Sequence, residues 1–118
     1  MSTLTATLEA WHCDVAGAMR RFLNDESLFK MCFSQMMDDE NFEALGTALQ
    51  ANDTTASFEC AHALKGIIAN MGITPLYDVV VTIVEPLRAK TVQPDTLLPE
   101  YEKLMALHAE LTALTAGC

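Results

Sequence analysis

Apolar residues along this chain recur at intervals of three and four, the spacing of helices that press one face against a core. Leu4, Leu8 and Trp11 form a first short stripe, and Asp14 is placed to cap a second in which Val15, Met19 and Phe22 share a face. Asn24-Asp25-Glu26 interrupts the pattern and restarts it. Leu28, Phe29, Cys32, Phe33, Met36 and Met37 then cover well over half of a helix, and this surplus over one core-facing stripe points to a binding surface. Asp38-Asp39-Glu40-Asn41 reads as a solvated acidic turn at a helix start, after which Phe42, Leu45 and Leu49 lead to the turn signal Asn52-Asp53. Asp53 as N-cap, residues 54–71 and a closing Gly72 delimit the sharpest helix in the chain.

Thr74-Pro75 looks like an N-cap with proline at the first helical position, opening a segment with Leu76, Val80, Ile83 and Leu87 on one face. The β-branched run from Val79 to Val84 suits a strand equally well, but no second strand pattern exists to pair with it, so helix is expected. Pro86 is expected to kink or end that helix near Glu85, and Lys90 to Pro94 to link it to a last helix bearing Tyr101, Leu104, Leu111 and Leu114. The fold expected is all-α: an antiparallel up-and-down four-helix bundle with short additional N-terminal helices, one domain over residues 1–118.

Composition narrows what such a bundle can do. Of 118 residues 51% are apolar, enough to bury a core and to exclude disorder. Sixteen Asp and Glu against seven Lys and Arg give a net charge of −9, which repels nucleic acid and anionic membrane. The stretch from Met1 to Ala10 lacks the basic start and apolar core of a signal peptide, and no segment is long and apolar enough to span a bilayer, so a cytoplasmic protein is expected; a monomer is expected as well. Cys13, Cys32, Cys60 and Cys118 form no Cys-x-x-Cys pair and read as reduced, mostly buried thiols.

The three histidines differ in their surroundings. His108 falls within the stripe of Tyr101, Leu104 and Leu111, as a boundary histidine with a satisfied ring nitrogen would; His12 sits beside Trp11 and Cys13 at a helix end. Neither pairs with another histidine at three or four residues, so a metal site in the bundle has little support. His62 instead lies about 150° from the apolar ridge of Ala61, Leu64, Ile68 and Met71, and should face water. Thr55, Glu59, Gly66 and Ala69 share that outer face, flanked by Phe58 and Lys65 on one side and Ala63 on the other. Gly66 is costly in mid-helix, by about 1 kcal/mol against alanine, and on the exposed side no core packing requires it. A partner's loop approaching the imidazole would.

No hydroxyl or carboxylate stands at triad-like spacing from His62, and no Gly-rich nucleotide loop is present, so neither hydrolysis nor an ATP-binding kinase is expected. Imidazole alone, with an ordinary pKa near 6.5, is largely neutral at about pH 7 and a competent nucleophile. Lys65, three residues on, can meet the charge of a phosphoryl group placed on the ring.

At these residues the sequence resembles the histidine phosphotransfer (HPt) domains of two-component phosphorelays. His62-Ala63-Leu64-Lys65-Gly66, continuing to Asn70-Met71-Gly72, is similar to the family pattern H-x-L-K-G with a further glycine at the helix end. Asn52-Asp53 matches the family's usual turn, and Glu85 stands where these domains commonly carry an acidic residue. The likeness covers roughly Ala18 to Ala89; the last helix agrees in length and apolar pattern. Ile67 is bulkier than the small residue often found after the glycine, and Pro86 interrupts a helix that is usually continuous.

The resemblance implies that His62 accepts a phosphoryl group from a receiver domain's aspartyl phosphate and passes it to another receiver, with a hybrid histidine kinase upstream. Lys65 would steady the group and Gly66 would leave clearance. Mg²⁺ would belong to the receiver, with no cofactor bound by this chain. Phe58, Glu59 and Ala69 around the histidine, and Phe29 and Phe33 on the apolar-rich helix, are the candidate docking residues. Two other readings stay open: the phospho-accepting domain of a larger chemotaxis-type kinase, which the Met1 start disfavours, and a non-catalytic bundle that binds a receiver or kinase.

Overall fold

Helix boundaries in the computed structural model, which describes residues 2–118, fall where short polar side chains stand. Met1, which enters the expectations about the N-terminus, lies outside the described residues. Among these residues are seven α-helices: α1 (Thr3–Ala10), α2 (Val15–Arg21), α3 (Glu26–Met37), α4 (Asn41–Gln50), α5 (Thr54–Met71), α6 (Thr74–Ala89) and α7 (Leu98–Thr115), with a 3₁₀ turn at Pro94–Leu97. Ser2, Asp14, Asp25 and Asp53 each accept a hydrogen bond from the backbone N–H three residues on, which satisfies an orphan donor at the starts of α1, α2, α3 and α5. At α4 the Asn41 N–H instead donates to Asp39 Oδ1 at 2.8 Å.

The three-residue connection 51–53 and the two-residue connection Gly72-Ile73 fold α5 back on α4 and α6 back on α5. α7 packs on α6 and closes the ring against α4, while α2 and α3 lean on α5 and α1 on α7. The expected all-helical bundle is therefore present, with no strand among the described residues. The β-branched run is helical because Val80, Ile83 and Val84 all turn into the core, where burial outweighs their weak helix propensity. No helix is long and apolar enough to cross a membrane among the described residues.

Several expectations need correction. Pro86 does not end α6: the helix runs through it to Ala89, because buried Leu87 anchors the last turn. Lys90, at φ 56°, then closes it, with Lys90 N–H donating to the Leu87 carbonyl and Thr91 N–H to the Pro86 carbonyl. The cap of α6 is Ile73 and not Thr74. The link to α7 contains the 3₁₀ turn, pinned by Asn52, whose side chain donates to Asp95 Oδ2 and accepts from the Asp95 N–H.

Phe29 and Phe33 are core residues, 1% and 4% exposed, and present no docking surface. Together with Met36 they form the inward stripe of α3, and Phe29 meets Phe22 edge to face at 5.5 Å. The apolar surplus that α3 does expose is Leu28 and Met31, at 40% and 53%. Leu114 is exposed and not on the core stripe of α7. The four free cysteines are half-buried, and desolvation pushes the Cys13 thiol up to about 11 against a lowering hydrogen bond from Thr74. His108 behaves as expected, with Nε2 2.8 Å from the Met37 carbonyl oxygen and its ring against Phe42.

The C-terminus of α5 is clamped from the N-terminal helices. Gly72 has φ 73°, Asp14 N–H donates to its carbonyl at 2.8 Å, and a Cβ here would stand 2.5 Å from the Asp14 carbonyl oxygen. Arg21 donates to the carbonyls of Ala69 and Asn70, satisfying acceptors that the helix end leaves open. Replacing Gly72 with alanine combines a left-handed conformation costing about 1–2 kcal/mol with a backbone clash. Gly72→Ala is therefore expected to lower unfolding stability by at least that amount in a urea titration; an unchanged midpoint would refute the clamp.

Candidate functional site

The 18 residues of α5 divide cleanly into two faces. Ser57, Ala61, Leu64, Ile68 and Met71 are buried, so the helix cannot rotate without exposing its ridge. That rotation puts His62 outside, together with Thr55, Glu59, Gly66 and Ala69, all of them exposed. The face expected around His62 is thus assembled.

Among the described residues no hydrogen bond or ion pair occupies either ring nitrogen of His62, in contrast to His108. What the ring does touch is Phe58, one turn earlier, at 5.3 Å between centroids and 16° between planes. This stacked contact uses a ring face and not the ring edge that carries the nitrogens. Phe58 is half-buried between α5 and α6, beside a groove of about 300 Å³ lined by Thr55, Glu59, Leu87, Arg88 and Lys90.

Lys65 reaches the same side of α5 but is not idle. Its Nζ lies 3.4 Å from Glu85 Oε1 on α6, and its side chain is only 25% exposed. Glu85 Oε2 in turn lies 3.6 Å from Arg88 Nε, and the Arg88 guanidinium carbon stands over the Phe58 ring, 5.3 Å from its centroid. Lys65, Glu85, Arg88, Phe58 and His62 consequently form one continuous chain of contacts across α5 and α6. The sequence singled out Glu85 only by its family-like position and missed Arg88 altogether. The signal was faint: Arg88 follows Glu85 at three residues, a spacing that pairs charges on a helix, but nothing in the sequence aligns α6 with α5.

Gly66 is bare: a Cβ built there meets nothing within 4 Å. With Ala63 and Ala69 nearby, the surface beside the imidazole is low on its C-terminal side and walled by Phe58 on the other. Ile67, the departure from the usual small residue, turns toward the core and packs against it, away from this clearing. A wider cleft of about 600 Å³ lies between α4 and α5, lined by Glu40, Glu43, Ala48, Asp53 and Cys60, and does not include His62. A side chain on an open face suits a macromolecular partner, whereas a small ligand is usually held in a concavity. No three His, Cys, Asp or Glu side chains converge to hold a metal ion among the described residues.

A family model described as Hpt domain matches residues 27–117 of the chain. Comparison with curated proteins found no match, and comparison with solved structures found none. The matched span runs from α3 through α7, so it takes in the last helix, which the motif-based likeness left at length and apolar pattern, and leaves out α1 and α2.

Because nothing crowds Gly66, alanine there should behave as in any exposed helix interior and stabilise the fold by roughly 0.5–1 kcal/mol. Thermal or urea unfolding of Gly66→Ala reads this directly. A destabilised variant would mean that the glycine serves the fold and is not kept for clearance.

Proposed function

The chain belongs to the Hpt domain family, whose members carry phosphoryl groups in phosphorelays and interact with receiver domains and kinases, and on that footing we propose that His62 is the phosphoryl way-station. The observation that carries the reading is an exposed imidazole with neither ring nitrogen hydrogen-bonded among the described residues, on a helix face where a Cβ at Gly66 would meet open space. A neutral ring nitrogen attacks the phosphorus of a receiver's aspartyl phosphate; the N–P bond forms, the P–O bond breaks and the aspartate leaves as carboxylate. Transfer onward reverses these events at a second receiver.

Catalysis in such a step comes from positioning and charge neutralisation, and most of it belongs to the complex of the two proteins. Mg²⁺ is carried by the receiver. On this chain Lys65 supplies the cation nearest the phosphoryl oxygens, Gly66 leaves room for the receiver's loop, and Phe58, Glu59 and Ala69 border the contact. In this reading the protein acts in the cytoplasm as a monomer, with no ATP site of its own.

Incubation with a phosphorylated receiver and Mg²⁺ should place an acid-labile, base-stable phosphate on His62, located by mass spectrometry, and His62→Gln should abolish it while leaving receiver binding intact. Absence of label from several receivers, with binding undiminished by His62→Gln, would turn the assignment to a non-catalytic binding module. Lys65→Ala should slow transfer or shorten the lifetime of the phosphohistidine with the fold unaltered; unchanged rates and lifetimes would remove the lysine from the mechanism.

A further inference from the structure

Arg88 touches both halves of the proposed phosphoryl site without belonging to the motif that defines it. Its guanidinium stands over the face of Phe58, where the ring quadrupole attracts a cation, and Phe58 is the ring that stacks on His62. Its Nε also lies beside Glu85, the carboxylate that pairs with Lys65. We infer that Arg88 is a positioning residue for phosphoryl transfer, holding Phe58 against the imidazole and holding Glu85 so that Lys65 waits beside the acceptor. The inference rests on His62 being that acceptor.

Two physical consequences give it content. An exposed histidine on a helix otherwise samples several ring orientations; a partner ring held in place by a cation narrows them and presents the same ring edge to an incoming phosphoryl group. Glu85, meanwhile, is paired with two cations, accepting a hydrogen bond from Lys65 and lying 3.6 Å from Arg88 Nε. A phosphoryl group on His62 carries close to two negative charges and so competes with a singly charged carboxylate for Lys65. When Lys65 moves to the phosphoryl oxygens, Arg88 remains to neutralise Glu85, and the exchange leaves no carboxylate unpaired next to the new dianion. Without Arg88, Glu85 keeps Lys65 as its one partner in this cluster and repels the incoming group.

The test uses the full chain and phosphoramidate as a small phosphoryl donor, which removes receiver docking from the readout: the imidazole lone pair forms the N–P bond as the donor P–N bond breaks and ammonia leaves. His62 ring-proton shifts are recorded by NMR on the unphosphorylated protein, alongside the initial rate of His62 labelling, for wild type, Arg88→Ala, Arg88→Lys and Phe58→Leu. Arg88→Ala should move the His62 resonances in the direction of Phe58→Leu, toward the position of free histidine. It should also slow labelling roughly two- to fivefold, the worth of an exposed cation–π contact. Arg88→Lys, which keeps the cation, should restore a substantial part of both. Unmoved His62 resonances in Arg88→Ala would overturn the inference, as would a slowed rate that lysine does not rescue. If wild type takes no label at His62 from this donor or from phosphorylated receivers, the acceptor assignment fails, whereas the ring shifts still report whether Arg88 holds Phe58.

Discussion

The rotational setting of α5 is the constraint on which the rest of the structure depends. Ala61, Leu64, Ile68 and Met71 are buried, and exposing such a ridge costs more than any surface contact on the opposite side returns. His62 is exposed because its neighbours one residue before and two after cannot be. An exposed imidazole on the outer face is thereby a by-product of core packing.

The same logic couples α5 to α6. Val80, Ile83, Val84 and Leu87 lock α6 into the core, and that register sets Glu85 and Arg88 opposite Lys65 and Phe58. Glu85 and Arg88 are about half exposed, so their ion pairs contribute little to stability. Their arrangement matters for where charge sits: Glu85 is matched by one cation from α5 and one from α6. Pro86 falls inside this stretch without ending it, since buried Leu87 follows immediately and the left-handed Lys90 closes the helix three residues after Leu87.

α1 and α2 lie outside the family match, and α2 with the residue that caps it holds the distal end of α5. Arg21 and Asp14 engage the carbonyls of Ala69, Asn70 and Gly72, fixing α5 at the end away from its Asp53 cap. Both ends of the helix are tied, and His62 lies near its middle. At the far side of the bundle Tyr101 donates to the Phe42 carbonyl at 2.7 Å, and burial, followed by the Glu43 charge, raises its phenol above the usual value.

Local chemistry carried much of this in the sequence: the Asp14 and Asp53 caps, the break at Asn24-Asp25-Glu26, the Gly72 stop, the helical period of seven apolar stripes and the outward placement of His62 and Gly66 all follow from spacing along one element. Features that depend on how one helix turns against another did not follow. The apolar content of α3 exceeded one stripe, but its amount could not tell which residues face inward, and Phe29 and Phe33 went to the core while Leu28 and Met31 stayed out. Pro86 signalled a break that tertiary burial of Leu87 overrode. Lys65 was legible as a cation beside the histidine, but its pairing with Glu85, and the reach of Arg88 onto Phe58, required the relative register of α5 and α6. A sequence determines faces, because the helical period is fixed by the backbone; it does not determine which two faces meet, because that is settled by the packing of side chains far apart in the chain.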